Sequence, residues 1–394
     1  MNVGMSLRIV IVGAGQAAAQ AIETLRHRGH TGPITLIGDE DSLPYQRPPL
    51  SKKYLAGVLE RDRLLIRHVD HYLAHGVDLR LGFAVVNIDR ARRRVELADG
   101  SSIEYDRLLI ATGSRPRLLP QTWEAARPYY LRTSADVDLL RAQMAPGRRA
   151  TIIGGGYIGL ETAATLREAG LEVTVYEAAD RVMSRVVSPA VSRFYEAEHT
   201  RRGVDLRRMV PGTEIPGIGE NGGFLLAAIG VVPADSLARD AGLECQDGIL
   251  VDEYCRTSDP DIWAAGDCTR HPSPRYGARV RLESVDNAFE QGTSAALNML
   301  GLTTVHDKVP WFWSDQYDLK MVIVGLASGH DTAVLRGDPA TRAFSVCYLR
   351  DGELIAVETV NHTKDQMAAR KLIPARARPD PRKLADPTIP LRDC

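Results

Sequence analysis

Two glycine-rich turns carry the first chemistry in this sequence. Gly13-x-Gly15-x-x-Ala18 follows the apolar run Arg8-Ile9-Val10-Ile11-Val12 and opens a helical pattern over 17–28. Gly154-x-Gly156-x-x-Gly159 follows Ala150-Thr151-Ile152-Ile153 and opens a second pattern over 157–169. In such a turn the first glycine permits the sharp reversal. The second lets backbone N–H groups approach a pyrophosphate, and a small third residue lets the helix pack on the strand. The helix N-terminus adds partial positive charge for the phosphates.

The next residues sort the nucleotides. Glu177 closes the strand Val173-Thr174-Val175-Tyr176, where a carboxylate accepts both ribose hydroxyls of NADH and repels the extra phosphate of NADPH. Ala178 and Ala179 follow, so no adjacent arginine waits for that phosphate. After the first turn the corresponding residue is Asp39 or Glu40; residue-by-residue alignment of the two units puts Gly38 at the acidic position. Two strand ends complete the set. One is Asp106–Gly113, ending Ala111-Thr112-Gly113; the other is Thr257–Asp267, ending Gly266-Asp267. A carboxylate at Asp267 can accept a ribityl hydroxyl, and Gly266 lets the backbone close on a flavin chain. Either alone is a generic strand end. With two fingerprints in order, they read as an FAD site (Gly13, Gly15, Ala18) followed by an NAD site (Gly154, Gly156, Ile158, Gly159, Glu177, Gly230).

The elements that must position these residues are two strand–helix–strand units about 140 residues apart. Each helix stops near a glycine, Gly29 or Gly170, and each is followed by a β-rich run. Beyond Trp311 the pattern changes to short alternating runs, such as 320–324 and 344–349, with a turn signal at Asp351-Gly352 and a helix near 364–372. The Pro-, Arg- and Asp-rich tail 374–394 reads as a surface arm. The expected class is α/β: two Rossmann-like domains plus a C-terminal α+β interface domain. The expected boundaries are 1–115 with 245–310 for FAD, 116–244 for NAD, and 311–394 for the last domain.

Bulk properties set the limits. A chain of 394 residues, 44% hydrophobic and 25% charged, has material for more than one core. A net charge of -1 gives no reason to expect nucleic acid or an anionic membrane surface. No apolar run approaches the roughly 20 residues that span a bilayer. The stretch Leu7–Val12 lacks a basic leader and breaks into glycine, so a signal peptide is not expected. Five irregularly spaced cysteines fit a reducing cytoplasm, and without Cys-x-x-Cys spacing no structural metal is expected.

Three further stretches resemble a known family: 43–55 (Leu-Pro-Tyr-Gln-Arg-Pro-Pro-Leu-Ser-Lys-Lys-Tyr-Leu), 111–117, and Trp311-Phe312-Trp313-Ser314-Asp315-Gln316. The sequence resembles, nearly end to end, two-dinucleotide-domain flavoproteins, and within them the ferredoxin reductases of bacterial oxygenase systems. The resemblance implies NADH-dependent reduction of FAD, then single-electron transfer to a two-iron two-sulfur ferredoxin. That ferredoxin would serve a haem monooxygenase or a ring-hydroxylating dioxygenase. It places Arg47 and Lys52 along the FAD and pairs Lys52 with Glu161 beside the nicotinamide. It sets Arg132 on FAD, Trp313 on the acceptor side of the flavin, and Arg185 on the NADH phosphates.

Relatives that reduce disulfides or peroxides keep cysteine near Lys52 or a pair in the second domain; the Lys52 stretch has none, and Cys268 reads as a bystander thiol. Electrons then leave from the flavin. Arg279, Arg281 and Lys320 are the expected docking residues for an acidic ferredoxin. The alternatives are a rubredoxin reductase, or a NADH-binding redox sensor of the apoptosis-inducing-factor type. One stretch departs from the family: between Val204 and Gly230 relatives are longer, and Phe224–Gly230 arrives early. Either the NAD domain is abridged or a segment is absent from the sequence.

Overall fold

A computed structural model of the chain describes residues 6–209 and 223–394. The chain divides into two compact units. The first holds the residues up to Gln46, Asp62–Arg115 and Val232–Lys308; the second holds Arg47–Arg61, Pro116–Val231 and Val309–Cys394.

The first unit is built on a five-stranded sheet in the order Ile262–Ala264, Arg107–Ile110, Ile9–Val12, Ile34–Gly38, Val77–Leu81. All neighbours are parallel. Its central strands are buried on both faces, which is why they read as unbroken Ile, Val and Leu. The alanine-rich helix Gln16–His27 lies against helix Val285–Met299. They meet at Gly292, where a Cβ would stand 2.5 Å from the Ala17 carbonyl oxygen. A three-stranded antiparallel sheet, Val85–Asp89, Arg94–Leu97 and Ser102–Glu104, adds Ile88, Val95 and Leu97 to a second core around Val10, Leu108 and Ile262.

The second unit contains a parallel four-stranded sheet ordered Asp205–Arg208, Glu172–Glu177, Arg149–Ile153, Phe224–Ala227. Helix Tyr157–Glu168 follows its first strand in sequence. The stretch expected to be shorter than in relatives, between Val204 and Gly230, falls partly on residues 210–222, outside the described residues.

The same unit holds an antiparallel five-stranded sheet in the order Trp311–Gln316, Leu319–Gly325, Glu353–Val360, Ala343–Arg350, Thr332–Asp338, backed by helix Thr363–Leu372. Asp351 and Gly352, both with positive φ (51° and 79°), make the tight turn between two of these strands.

The tail corrects the expectation of a surface arm. Leu384 and Leu391 are 0% and 2% exposed and pack in the C-terminal core with Val322, Val324 and Ile373. Arg336, itself 3% exposed, donates to the carbonyls of Leu384 (3.1 Å), Asp386 (2.6 Å) and Ile389 (2.5 Å), and pairs with buried Asp365 at 2.9 Å. No helix among the described residues is long and apolar enough to cross a membrane.

Candidate active site

The two fingerprint helices differ at their starts from three other helices, while helix Thr363–Leu372 also lacks a side-chain cap but carries Asp365 in its first turn. Helices Ser134–Arg141, Pro189–Arg201 and Val285–Met299 are capped by the side chains of Thr133, Ser188 and Ser284. Helices Gln16–His27 and Tyr157–Glu168 begin on Gly15 and Gly156, with no side-chain cap and no acidic residue in the first turn. Their first N–H groups are left for something else to satisfy.

The glycines fit a dinucleotide. Gly13 and Gly154 both have φ of 105°, and a Cβ on either would stand 2.2 Å or 2.4 Å from a carbonyl oxygen, of Ala111 or Ala228. The protein's own backbone therefore demands them. Gly15 and Gly156 are different: φ is -109° and -78°, and a Cβ would meet nothing within 4 Å. Neither conformation nor packing demands glycine there, whereas a pyrophosphate lying on the turn does. At the third position Ala18 is fully buried, and a Cβ on Gly159 would lie 2.0 Å from the Gly154 oxygen, so the second helix packs more tightly.

Around the first turn, Thr112 Oγ1 donates to the Ala234 carbonyl (2.7 Å) and the Gly113 carbonyl accepts from the Ala234 N–H (2.9 Å). Gly266, with φ of 87°, lies against Ala17 of the fingerprint helix. Asp267 accepts from Ser114 Oγ at 2.9 Å. Glu40 accepts from Tyr45 Oη at 2.5 Å, while Asp39 is exposed; Gly38 is small because Ala14 packs where its side chain would be.

The sequence gives no hint of Gln291. Its Oε1 accepts from the Gly266 N–H (2.8 Å) and Thr269 Oγ1 (2.8 Å), and its Nε2 meets His271 Nδ1 (3.1 Å). This buried amide fixes the Gly266-Asp267 strand end from behind. It shares its buried helix face with Asn287 and Ser294, and only the tertiary fold brings Gly266, Thr269 and His271 to it.

In the second unit the Glu177 carboxylate sits over the fingerprint turn. It accepts from the N–H groups of Gly155 (2.7 Å) and Ala179 (2.8 Å). Arg185 Nη2 would be 3.4 Å from a Cβ on Gly230, so these two residues, far apart in sequence, are neighbours. Ile158 is 43% exposed at the start of the second fingerprint helix, an apolar surface open to a planar ring.

Glu161, on that helix, is 3% exposed. Its Oε2 accepts from Lys52 Nζ (2.6 Å) and Ser51 Oγ (2.5 Å), and its Oε1 from Ser314 Oγ (2.7 Å). Lys52 Nζ also donates to the Pro48 carbonyl at 3.1 Å. A buried charge survives only when paired and hydrogen-bonded, and this carboxylate is both. The sequence gives no hint of the roles of Ser51 and Ser314. Their small polar side chains acquire meaning only when the short turn 48–51, the helix and the strand 311–316 converge.

Alternation along that strand separates its aromatics. Phe312 stacks on Tyr157 (4.5 Å between centroids), on the side of Ser314, whereas Trp313 stacks on Trp311 (5.2 Å) against the C-terminal core. Arg47 Nη1 donates to the Arg132 carbonyl at 2.6 Å, and the capping box of Thr133 and Asp136 fixes Arg132 at the helix start. Cys268 is fully buried, and burial pushes its thiol up to about 11, which suits an inert side chain.

Among the expected docking residues, Arg281 is tied to Asp247 and Glu283. Arg279 donates to the Val251 carbonyl (2.8 Å), and Lys320 is exposed.

Two nucleotide turns, one in each unit, define an oxidoreductase that handles two nucleotides. The chain belongs to the pyridine nucleotide-disulphide oxidoreductase family, whose model matches residues 7–292; residues 311–394 match the reductase C-terminal family. Its cofactors are FAD and a pyridine nucleotide. The chain is 43% identical to rhodocoxin reductase of Rhodococcus erythropolis, over 98% of this chain and 94% of that one. It is 40% identical to putidaredoxin reductase of Pseudomonas putida, over 98% and 96%. It also superposes on the reductase in the crystal structure of a covalent putidaredoxin reductase–putidaredoxin complex, with a TM-score of 0.92 at 40% identity over 98% and 97% of the chains.

Proposed function

We propose that this protein is an NADH-dependent ferredoxin reductase. It would feed a two-iron two-sulfur ferredoxin that serves a haem monooxygenase or a ring-hydroxylating dioxygenase. The observation that carries the reading is the buried Glu161, which holds Lys52 between a nucleotide-binding helix and the C-terminal sheet. End-to-end similarity to reductases named for their redoxins supports it. FAD, when bound, accepts a hydride from NADH and releases the electrons one at a time.

The residues supply position and field. Gly13, Gly15 and Ala18 seat the FAD pyrophosphate, with Asp39 or Glu40 on the ribose. Ala111, Thr112, Gly113, Gly266 and Asp267 line the flavin chain. For Arg47, Arg132 and Trp313 the role toward FAD is the one that the resemblance implies. Gly154, Gly156, Ile158, Gly159 and Gly230 seat NADH, Glu177 takes its ribose hydroxyls, and Arg185 its phosphates. The resemblance puts the Lys52 ammonium at the hydride-accepting end of the flavin, where negative charge builds, and Glu161 holds that ammonium in place. We assign the FAD part to 1–115 with 245–310, the NAD part to 116–244 and the interface part to 311–394, and place the protein in the cytoplasm, in keeping with five cysteines that form no disulfide.

The test is an anaerobic titration of the flavin band with NADH, followed by reduction of a two-iron two-sulfur ferredoxin. Stoichiometric bleaching by NADH and fast ferredoxin turnover are expected. A flavin band that NADH leaves unchanged would sink the reading, as would turnover with rubredoxin alone. A NADH-induced change in size without turnover would point to a sensor instead.

A further inference from the structure

The hydrogen-bond chain at Glu161 does not stop at Ser314. Ser314 Oγ gives its one hydrogen to Glu161 Oε1, so toward Gln316 Nε2, 3.2 Å away, it accepts. The Gln316 amide nitrogen is fully used, its other contact being Met183 Sδ at 3.9 Å. Its Oε1 therefore faces His199 Nε2 at 2.8 Å and accepts, which puts the ring proton on Nε2. His199 Nδ1 is then the acceptor for Tyr317 Oη at 3.2 Å. Ser314, Gln316 and His199 are each 0% exposed.

Every donor along this chain points toward the carboxylate. Aligned bonds of this kind polarise one another, and all of the polarisation favours a negative, fixed Glu161. A charged imidazole would need a second donor at Nδ1, facing the Tyr317 hydroxyl, and would break the sequence of donors. Burial holds the His199 imidazole down to about 4, consistent with a neutral ring.

We propose that Ser314, Gln316 and His199 are positioning residues for NADH oxidation: they hold Glu161, and through it Lys52, in the geometry the hydride step requires. This rests on the role given above to Lys52 and Glu161. The C-terminal domain then contributes to the reductive half of the reaction as well as to the acceptor side.

The experiment combines kinetics with a spectroscopic readout. In FAD-loaded protein mixed anaerobically with NADH, Ser314→Ala should lower the limiting rate of flavin bleaching about tenfold to hundredfold, the scale of a lost hydrogen bond to a charge. The NADH dissociation constant should stay within about twofold, and Ser314→Thr should restore the rate. In a Glu161→Gln background, Ser314→Ala should add less than about twofold. Should Ser314→Ala lose its flavin, Gln316→Leu, which breaks the chain one step further from Glu161, gives the same comparison.

Independently of turnover, nitrogen-15 spectra of histidine-labelled protein should show His199 neutral with its proton on Nε2. A charged ring, a proton on Nδ1, or an equal rate loss in both backgrounds overturns the inference. If Glu161→Gln is slow while Ser314→Ala is not, this inference alone fails. If Glu161→Gln bleaches at the wild-type rate, the Lys52–Glu161 role fails and this inference with it.

Discussion

The Glu177 carboxylate accepts the Gly155 N–H at 2.7 Å, so the acidic strand end and the second nucleotide turn are one structure. A 2′-phosphate brought to this place meets a held negative charge, while two ribose hydroxyls meet an acceptor. Glu177→Ala should therefore lower the preference for NADH over NADPH by about 10- to 100-fold in kcat/KM, the scale of a lost charged hydrogen bond plus relieved repulsion. Steady-state kinetics with both nucleotides decides it. A ratio unchanged within about twofold would remove Glu177 from the recognition of the ribose.

The paired glycines of each turn should behave oppositely. Gly13→Val drives a side chain into the Ala111 carbonyl at a φ of 105° and should prevent folding of the first unit. Gly15→Val places its side chain in open space. The flavin-free protein should then unfold within about 1 kcal/mol of wild type, yet FAD retention should fall sharply. Denaturant unfolding of the apoprotein and bound flavin per chain are the two measurements. Full flavin occupancy in Gly15→Val would show that the pyrophosphate lies elsewhere.

The turns were legible because their chemistry is local. A strand, two or three glycines and a helix start occupy one stretch of chain, and only glycine satisfies Gly13 and Gly154. Both fingerprint helices and the Asp351-Gly352 turn were readable for the same reason. Long-range polar partners were not. Ser314 reaches Glu161 across 153 residues and Gln291 reaches Gly266 across 25, and nothing in either neighbourhood announces the meeting. The tail misled because its Pro, Arg and Asp content resembles a solvated arm. Two leucines and an arginine about 50 residues away, Arg336, decide otherwise.

That arginine makes the tail testable. Arg336 and Asp365 are both 3% exposed, and Arg336 also holds three tail carbonyls. Arg336→Leu leaves Asp365 buried with Ser345 Oγ at 2.8 Å and a His362 contact. Breaking such a pair from one side costs about 3–5 kcal/mol. Arg336→Leu should lower the unfolding free energy by that amount and open 381–391 to proteolysis in the native state. A loss below about 1 kcal/mol, with the tail still protected, would mean that leucine packing alone holds it.

Acid should destabilise the protein through its buried imidazoles. His199 is held down to about 4 by burial. His271 is held down to about 3 by burial, then by the His306 and Arg279 charges, against an opposing pull from Asp307. His306 is held down to about 4 by burial and then by Lys308. In each case the unfolded imidazole titrates near 6.5 and the folded one lower. Between those values the unfolded chain binds the extra proton, so stability rises with pH across the window and is lost as pH falls from about 6.5 toward 4. Each group contributes a slope on the order of 1 kcal/mol per pH unit there. His306→Gln cannot titrate, so its unfolding free energy should fall less steeply between pH 6 and pH 5 than that of wild type, by about one proton's worth. Equal slopes for the two proteins would mean that His306 keeps an ordinary proton affinity when folded.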